Sequence, residues 1–155
     1  MIQKILVGID DSEASEKALE FAIGLAEQYS ANILLLSVIP SILTPIFNLP
    51  PVIAPTFYTH APLVFEEASR RAYEELISKY KKKIRIKIRD KNNMKISAKL
   101  VGGNPAKKII EIATKENFDL IVIGSKDRSG FHKFFFGSTS DDVVDNSEIP
   151  VLVVK

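Results

Sequence analysis

Cysteine is missing from this 155-residue chain, and histidine occurs only twice. Without cysteine there is no disulfide framework, no thiolate metal site and no thiol nucleophile. His60 and His132 stand far apart and offer no metal-ligand spacing. An excess of one charge is lacking too: 21 Lys and Arg against 19 Asp and Glu leave a net +2. A protein that works mainly by charge, such as one that coats DNA, is thereby excluded. No apolar stretch reaches the roughly 18 residues that a membrane helix needs. Nor does the N-terminus carry the apolar run of about 7–15 residues and small-residue cleavage site of a signal peptide. The expectation is a cytoplasmic, unanchored chain with neither a membrane nor a nucleic acid as partner. With 46% apolar and 26% charged residues it has the balance of an ordinary globule. Its length suits one domain over residues 1–155, since a second core would leave each half too small.

What the chain does contain is an alternation of short apolar runs and helical patterns. Ile2–Ile9 is β-rich and nearly all apolar after Lys4, as in a strand buried on both faces. Asp10-Asp11-Ser12 breaks it and supplies an N-cap. Ala14, Ala18, Phe21, Ala22, Leu25 and Tyr29 then recur at helical spacing, and Ile33–Ile39 is strand-like again. Strand, helix and strand in that order make a right-handed βαβ unit the default.

Residues 40–62 are of another kind. Pro40, Pro45, Pro50, Pro51, Pro55 and Pro62 fall among apolar and aromatic neighbours such as Phe47, Phe57 and Tyr58. That proline density excludes a regular helix or a central strand. Two readings stay open: an extended loop packed on its own domain, or a lid or subunit contact. Helical spacing resumes at Phe65, Ala68, Ala72, Leu76 and Tyr80. Ile84, Ile86 and Ile88 alternate as in a strand, yet Tyr80, Ile84 and Ile88 align at i+4; the helix is expected to continue to about Asn92-Asn93. Its basic cluster, Lys81–Arg89, lacks interleaved aromatics and reads as a solvated face, not a nucleic-acid groove.

Lys95–Val101 is the third strand. Gly102-Gly103-Asn104-Pro105 turns it into a helix, with Asn104 as N-cap and Pro105 at the first helical position. Asp119–Gly124 is a fourth buried strand, a helix starts near Ser138, and Val151-Leu152-Val153-Val154 is the fifth strand. Five apolar strands alternating with four helices predict an open parallel α/β sheet, with helices on both faces in the Rossmann-like manner.

Ligands of such sheets bind beyond the C-terminal strand ends, where the strand order reverses. The candidates are Gly8–Ser12, Val38–Pro40, Gly102–Asn104 and Gly124–Ser140. In the last of these, Gly137 opens a helix whose first turn holds Ser138, Thr139 and Ser140, with Lys126, Arg128 and Lys133 near in sequence. Free N–H groups there suit a phosphate; equally, Ser138 caps the helix and Gly137 turns the chain. The standard signatures fail. There is no G-x-x-x-x-G-K-[ST], no G-x-G-x-x-G and no G-x-S-x-G. Asp10-Asp11 invites a response-regulator reading, but its phospho-acceptor should end strand three, where Gly102-Gly103 stands. No general base stands out.

Taken in order, Ile5–Ser12, Leu35–Ile39, Gly103-Asn104-Pro105-Ala106, Leu120–Ser125, Arg128-Ser129-Gly130, Phe136-Gly137-Ser138 and Pro150–Val154 resemble the universal stress protein family over residues 1–155. The resemblance implies strand order 3-2-1-4-5 and so places the reversal between strands one and four. It implies an adenine-nucleotide (ATP or AMP) binding stress-response module. Many members bind ATP through G-x-x-G, nine residues and then G-[ST]. Here Gly124-Ser125-Lys126-Asp127 is followed by nine residues, 128–136, and by Gly137-Ser138, with Asp127 in place of the second glycine. Carried over by position, Gly8, Ile9 and Asp10 meet ribose and base and Val38 the adenine edge. Gly124, Lys126, Gly137, Ser138 and Thr139 line the phosphates, Asp127 stands at the substituted position among them, and Ile123 belongs to the same nucleotide-binding set. Asp127 would bring a carboxylate near the anionic tail, where Mg²⁺ bound with the nucleotide can bridge them. The alternative is a dimeric interaction scaffold whose pocket no longer takes nucleotide. Either way the resemblance implies little or no catalysis, a downstream protein partner and a homodimer through Val151, Leu152, Val153 and Val154.

Overall fold

The computed structural model describes residues 1–40, 67, 70–71, 74–82, 84, 94–125 and 138–155. Five strands run parallel: β1 (Lys4–Gly8), β2 (Asn32–Pro40), β3 (Ile96–Gly103), β4 (Leu120–Gly124) and β5 (Val151–Val154). Their order is β3-β2-β1-β4-β5, as the resemblance implied. In register, Val7 of β1 lies between Leu35 of β2 and Val122 of β4. Helix α1 (Glu13–Tyr29) joins β1 to β2. Residues 74–82 are helical (α2) and Ile84 continues the helix; Pro40, expected to open the proline-rich loop 40–62, is instead the last residue of β2, paired with Gly103, and 41–62 and the rest of the expected helix to Asn92-Asn93 lie outside the described residues. Helix α3 (Pro105–Lys115) precedes β4 and α4 (Ser138–Asn146) precedes β5.

Side chains alternate between two cores. Ile5, Val7, Ile9, Ile33, Leu35 and Val122 pack with α1 and with Leu76, Tyr80 and Ile84 on one face. Leu6, Leu34, Leu36, Ile121 and Ile123 pack with α3 and with Val143 of α4 on the other. The reason is the constant right hand of parallel crossovers. Strands added on one side of β1 carry their helices on one face, and reversing the direction of addition moves the helices to the opposite face.

Local signals act as read. Ser12 caps α1, its Oγ accepting the Ser15 N–H at 3.1 Å. Asn104 caps α3 through the Lys107 N–H at 3.0 Å, with Pro105 at the first position. The buried face of α1 differs from the expected stripe. Ser15, Ala18, Leu19, Ala22, Ile23 and Ala26 are buried, whereas Phe21 and Tyr29 are 58% and 43% exposed. Small alanines face the sheet because the helix backbone must lie close to β4, and that turns the larger residues at 21 and 29 outward.

Candidate functional site

The chain leaves β1 at its C-terminal end and returns on the opposite side as β4, so a crevice opens between these two strand ends. Gly8 and Ile123 face each other across it: a Cβ on Gly8 would lie 2.9 Å from the Ile123 Cγ2 and 3.4 Å from the Ile109 Cδ1. Gly124 faces the other side, toward the first turn of α1. A Cβ there would sit 2.5 Å from the Ala14 carbonyl carbon and 2.7 Å from the Ser15 nitrogen. Glycine at 124 is therefore required by helix–sheet packing, whatever it does for a ligand. Ser125 is buried, and its N–H donates to the Val154 carbonyl at 2.7 Å.

Ile9 and Asp10 carry the chain out of the sheet, and their four backbone polar groups are all engaged. The Ile9 N–H donates to the Leu36 carbonyl at 2.9 Å. The Ile9 carbonyl accepts from the buried Ser37 Oγ at 3.1 Å. Asp10 N–H donates to Ser15 Oγ at 3.0 Å, and the Asp10 carbonyl accepts from the Tyr80 hydroxyl at 2.9 Å. Backbone that departs from a ladder must find such partners or strand a buried dipole. The Asp10 carboxylate accepts through Oδ1 from the Ser12 N–H at 3.0 Å and from the Ser12 hydroxyl. Its side chain is exposed at the mouth of the crevice, so Asp10 presents a carboxylate, not a free peptide group.

The α2 helix closes one wall. Lys79 Nζ lies 2.9 Å from Glu16 and 3.8 Å from Asp11, and the hydrogen bond to Glu16 holds its ammonium above the usual lysine range. Burial pushes the Tyr80 phenol up. On the other wall, Val38 of β2 pairs with Val101 of β3, two residues beyond the Leu36 that faces Gly8.

Of the sequence-derived residues, Gly8, Ile9, Asp10, Ile123 and Gly124 come together at the β1/β4 crevice, and Val38 stands further out on β2. Ser138 and Thr139 open α4, with Ser138 exposed and Ser140 buried. Lys126, Asp127 and Gly137 lie outside the described residues. Sequence reading overlooked Ser15 and Ser37. Each had a signal: a hydroxyl on the buried stripe of α1, and one polar residue inside the run Ile33–Ile39.

The sequence model of the Universal stress protein family matches residues 1–155. Universal stress protein MJ0531 of Methanocaldococcus jannaschii is 30% identical over 155 residues, spanning 100% of this chain and 83% of that protein. Universal stress protein UspA from Lactobacillus plantarum shares the fold at TM-score 0.74 and 23% identity, over 99% of this chain and 97% of that one. The universal stress protein from Archaeoglobus fulgidus in complex with dAMP does so at TM-score 0.66 and 18% identity, over 100% and 98%.

Proposed function

The chain belongs to the universal stress protein family, and from that premise we propose that it is a one-domain module that binds ATP or AMP and acts as a homodimeric stress-response regulator with little or no catalysis. The observation that carries the nucleotide reading is the crevice at the strand reversal. There Asp10, one residue beyond the β1 ladder, offers an exposed carboxylate that suits ribose hydroxyls or an adenine amino group. A dAMP complex on the same fold supports the choice of an adenine nucleotide.

In this reading Gly8, Ile9 and Asp10 take ribose and base, Val38 borders the adenine, and Gly124, Lys126, Asp127, Gly137, Ser138 and Thr139 run along the phosphates, with Ile123 buried beside Gly8 at the strand end. Since the Ile9 and Asp10 N–H groups are already engaged, these two residues have no backbone donor to give a ligand, and the Asp10 carboxylate is their charged acceptor. Among the described residues no group of three or more histidine or acidic side chains converges on a point. Mg²⁺ bound with the nucleotide would offset phosphate charge in this reading, and Asp127 would be the residue to hold it. A downstream protein would read the liganded state.

The homodimer is supported by the contrast between the two sheet edges. Edge strand β5 is apolar on both faces: Val151 and Val153 pack toward the α3 side, Leu152 and Val154 toward the α1 side. Edge strand β3 exposes Ser97, Lys99 and Gly102. Charge guards an edge and an apolar strand invites pairing, so a two-fold axis beside β5 is the economical assembly.

Among the described residues no helix is long and apolar enough to cross a membrane. The test is to denature the purified protein and chromatograph what it releases, then titrate the stripped protein with ATP and AMP by calorimetry. Released or rebound adenine nucleotide is the expected result. Absence of both overturns the nucleotide reading and favours the dimeric scaffold, for which Asp127 in the phosphate motif is the specific reason.

A further inference from the structure

Three contacts join Asp10, Ser15 and Tyr80 in a hydrogen-bond ring. The Asp10 N–H donates to Ser15 Oγ at 3.0 Å, and the Tyr80 hydroxyl donates to the Asp10 carbonyl at 2.9 Å. Ser15 Oγ and the Tyr80 hydroxyl lie 3.5 Å apart. A tyrosine hydroxyl has one proton, here given to Asp10, so only the serine proton remains to span that last gap. The ring then runs from Asp10 N–H to Ser15, from Ser15 to Tyr80, and from Tyr80 back to the Asp10 carbonyl. Each hydroxyl donates once and accepts once, an arrangement in which neighbouring bonds polarise one another. Tyr80 and Ser15 are both buried, with no solvent to replace a lost partner.

We infer that Tyr80 is a positioning residue for the nucleotide site: through the Asp10 carbonyl it fixes the peptide from which the Asp10 carboxylate reaches the crevice. The inference rests on the adenine-nucleotide reading and assigns to α2 a part in ligand recognition that touches no ligand. Geometry makes Tyr80 suited to it. Asp10 is one residue past the last ladder bond of β1, so no strand neighbour holds its carbonyl. Only a long side chain from the helix that covers this face spans the gap from α2. Lys79, next to it, pairs with Glu16 and Asp11 and holds α2 against the same first turn of α1.

The experiment compares ATP and AMP titrations of the full chain with those of Tyr80→Phe, which keeps the ring and removes only the hydroxyl. Affinity is expected to fall about three- to tenfold, the worth of one hydrogen bond. Amide hydrogen exchange without nucleotide is expected to quicken at Asp10 and Ser15 and to stay unchanged at Leu6 and Val7. In an Asp10→Ala background Tyr80→Phe is expected to change affinity less than about twofold, because the carboxylate it orients is gone. Ile84→Val, which trims the same core without touching the ring, lowers the melting temperature and leaves affinity as it was. Unchanged affinity or unchanged Asp10 exchange in Tyr80→Phe overturns the positioning role and leaves the nucleotide site standing. An equal loss in the Asp10→Ala background also overturns it, since Tyr80 then acts through stability alone. No binding by the unmodified chain overturns the nucleotide reading itself, and this inference with it.

Discussion

Replacing Gly124 by alanine separates the packing role of this glycine from any role toward a phosphate. The added methyl carbon would stand 2.5 Å from the Ala14 carbonyl carbon, 2.6 Å from its oxygen and 2.7 Å from the Ser15 nitrogen. Ordinary carbon contacts begin near ~3.5 Å, so α1 and β4 must part by about 1 Å. No rotamer relieves the clash, because all three atoms are backbone in a helical turn capped by Ser12. The cost falls at the upper end of the overpacking range, about 3 kcal/mol. For a chain of this size that is a melting temperature lower by about 6–12 °C. Other glycines calibrate the scale. Gly8→Ala meets the Ile123 Cγ2 at 2.9 Å, a buried branch methyl that yields by the shift of one side chain and not of a whole helix, and should cost about 2 kcal/mol. Gly24 lies inside α1 with nothing within 4 Å of a Cβ, and Gly24→Ala should gain about 0.5–1 kcal/mol. Ligand-free thermal melts followed by circular dichroism give the ranking. If Gly124→Ala melts within about 1 °C of the unmodified chain, or if Gly8→Ala is the worse of the two, the packing argument is wrong. A glycine needed only for phosphate approach would lose affinity and keep its ligand-free melt.

In Mg²⁺-free buffer Asp127→Gly should tighten ATP binding by about 1–3 kcal/mol by removing a like charge near the phosphates; calorimetry showing equal affinity rejects that charge argument. Leu152→Lys or Val153→Pro should turn a homodimer into a monomer in light scattering, since one charges and the other unpairs the β5 edge; a monomeric unmodified chain rejects the interface. Asp119 accepts the Gln3 and Lys4 N–H groups at 2.8 and 2.9 Å, and these bonds hold its carboxyl below the usual carboxylate range. A depressed folded pKa means that this contribution is full above the unfolded carboxyl's pKa of about 3.9 and is lost as pH falls through the folded value. Asp119→Asn should therefore melt lower at neutral pH, with the difference closing as pH falls through the depressed folded value; a pH-independent difference contradicts the linkage.

Residues close in sequence settled the elements. Apolar runs marked β1, β2, β4 and β5 because parallel strands covered on both faces admit few polar residues, whereas edge strand β3 showed as an alternation that leaves Ser97 and Lys99 exposed. Ser12 and Asn104-Pro105 marked helix starts because capping is decided within four residues. Resemblance to a family added the strand order, and with it the crevice between β1 and β4. What neighbouring residues cannot express is which distant group each side chain meets. Leu19 and Ile23 are buried and Phe21 is not because α1 is turned by its fit on β4, and helical spacing alone allows either stripe. Gly124 belongs to a phosphate motif in sequence, yet its lack of a Cβ is demanded by Ala14 and Ser15, which precede it by more than a hundred residues. Tyr80 looked like one more apolar position of a helix. Only the tertiary fold, by bringing residue 80 to residue 10, gave its hydroxyl a carbonyl to hold, because a backbone leaving the sheet must bond to whatever the fold packs beside it.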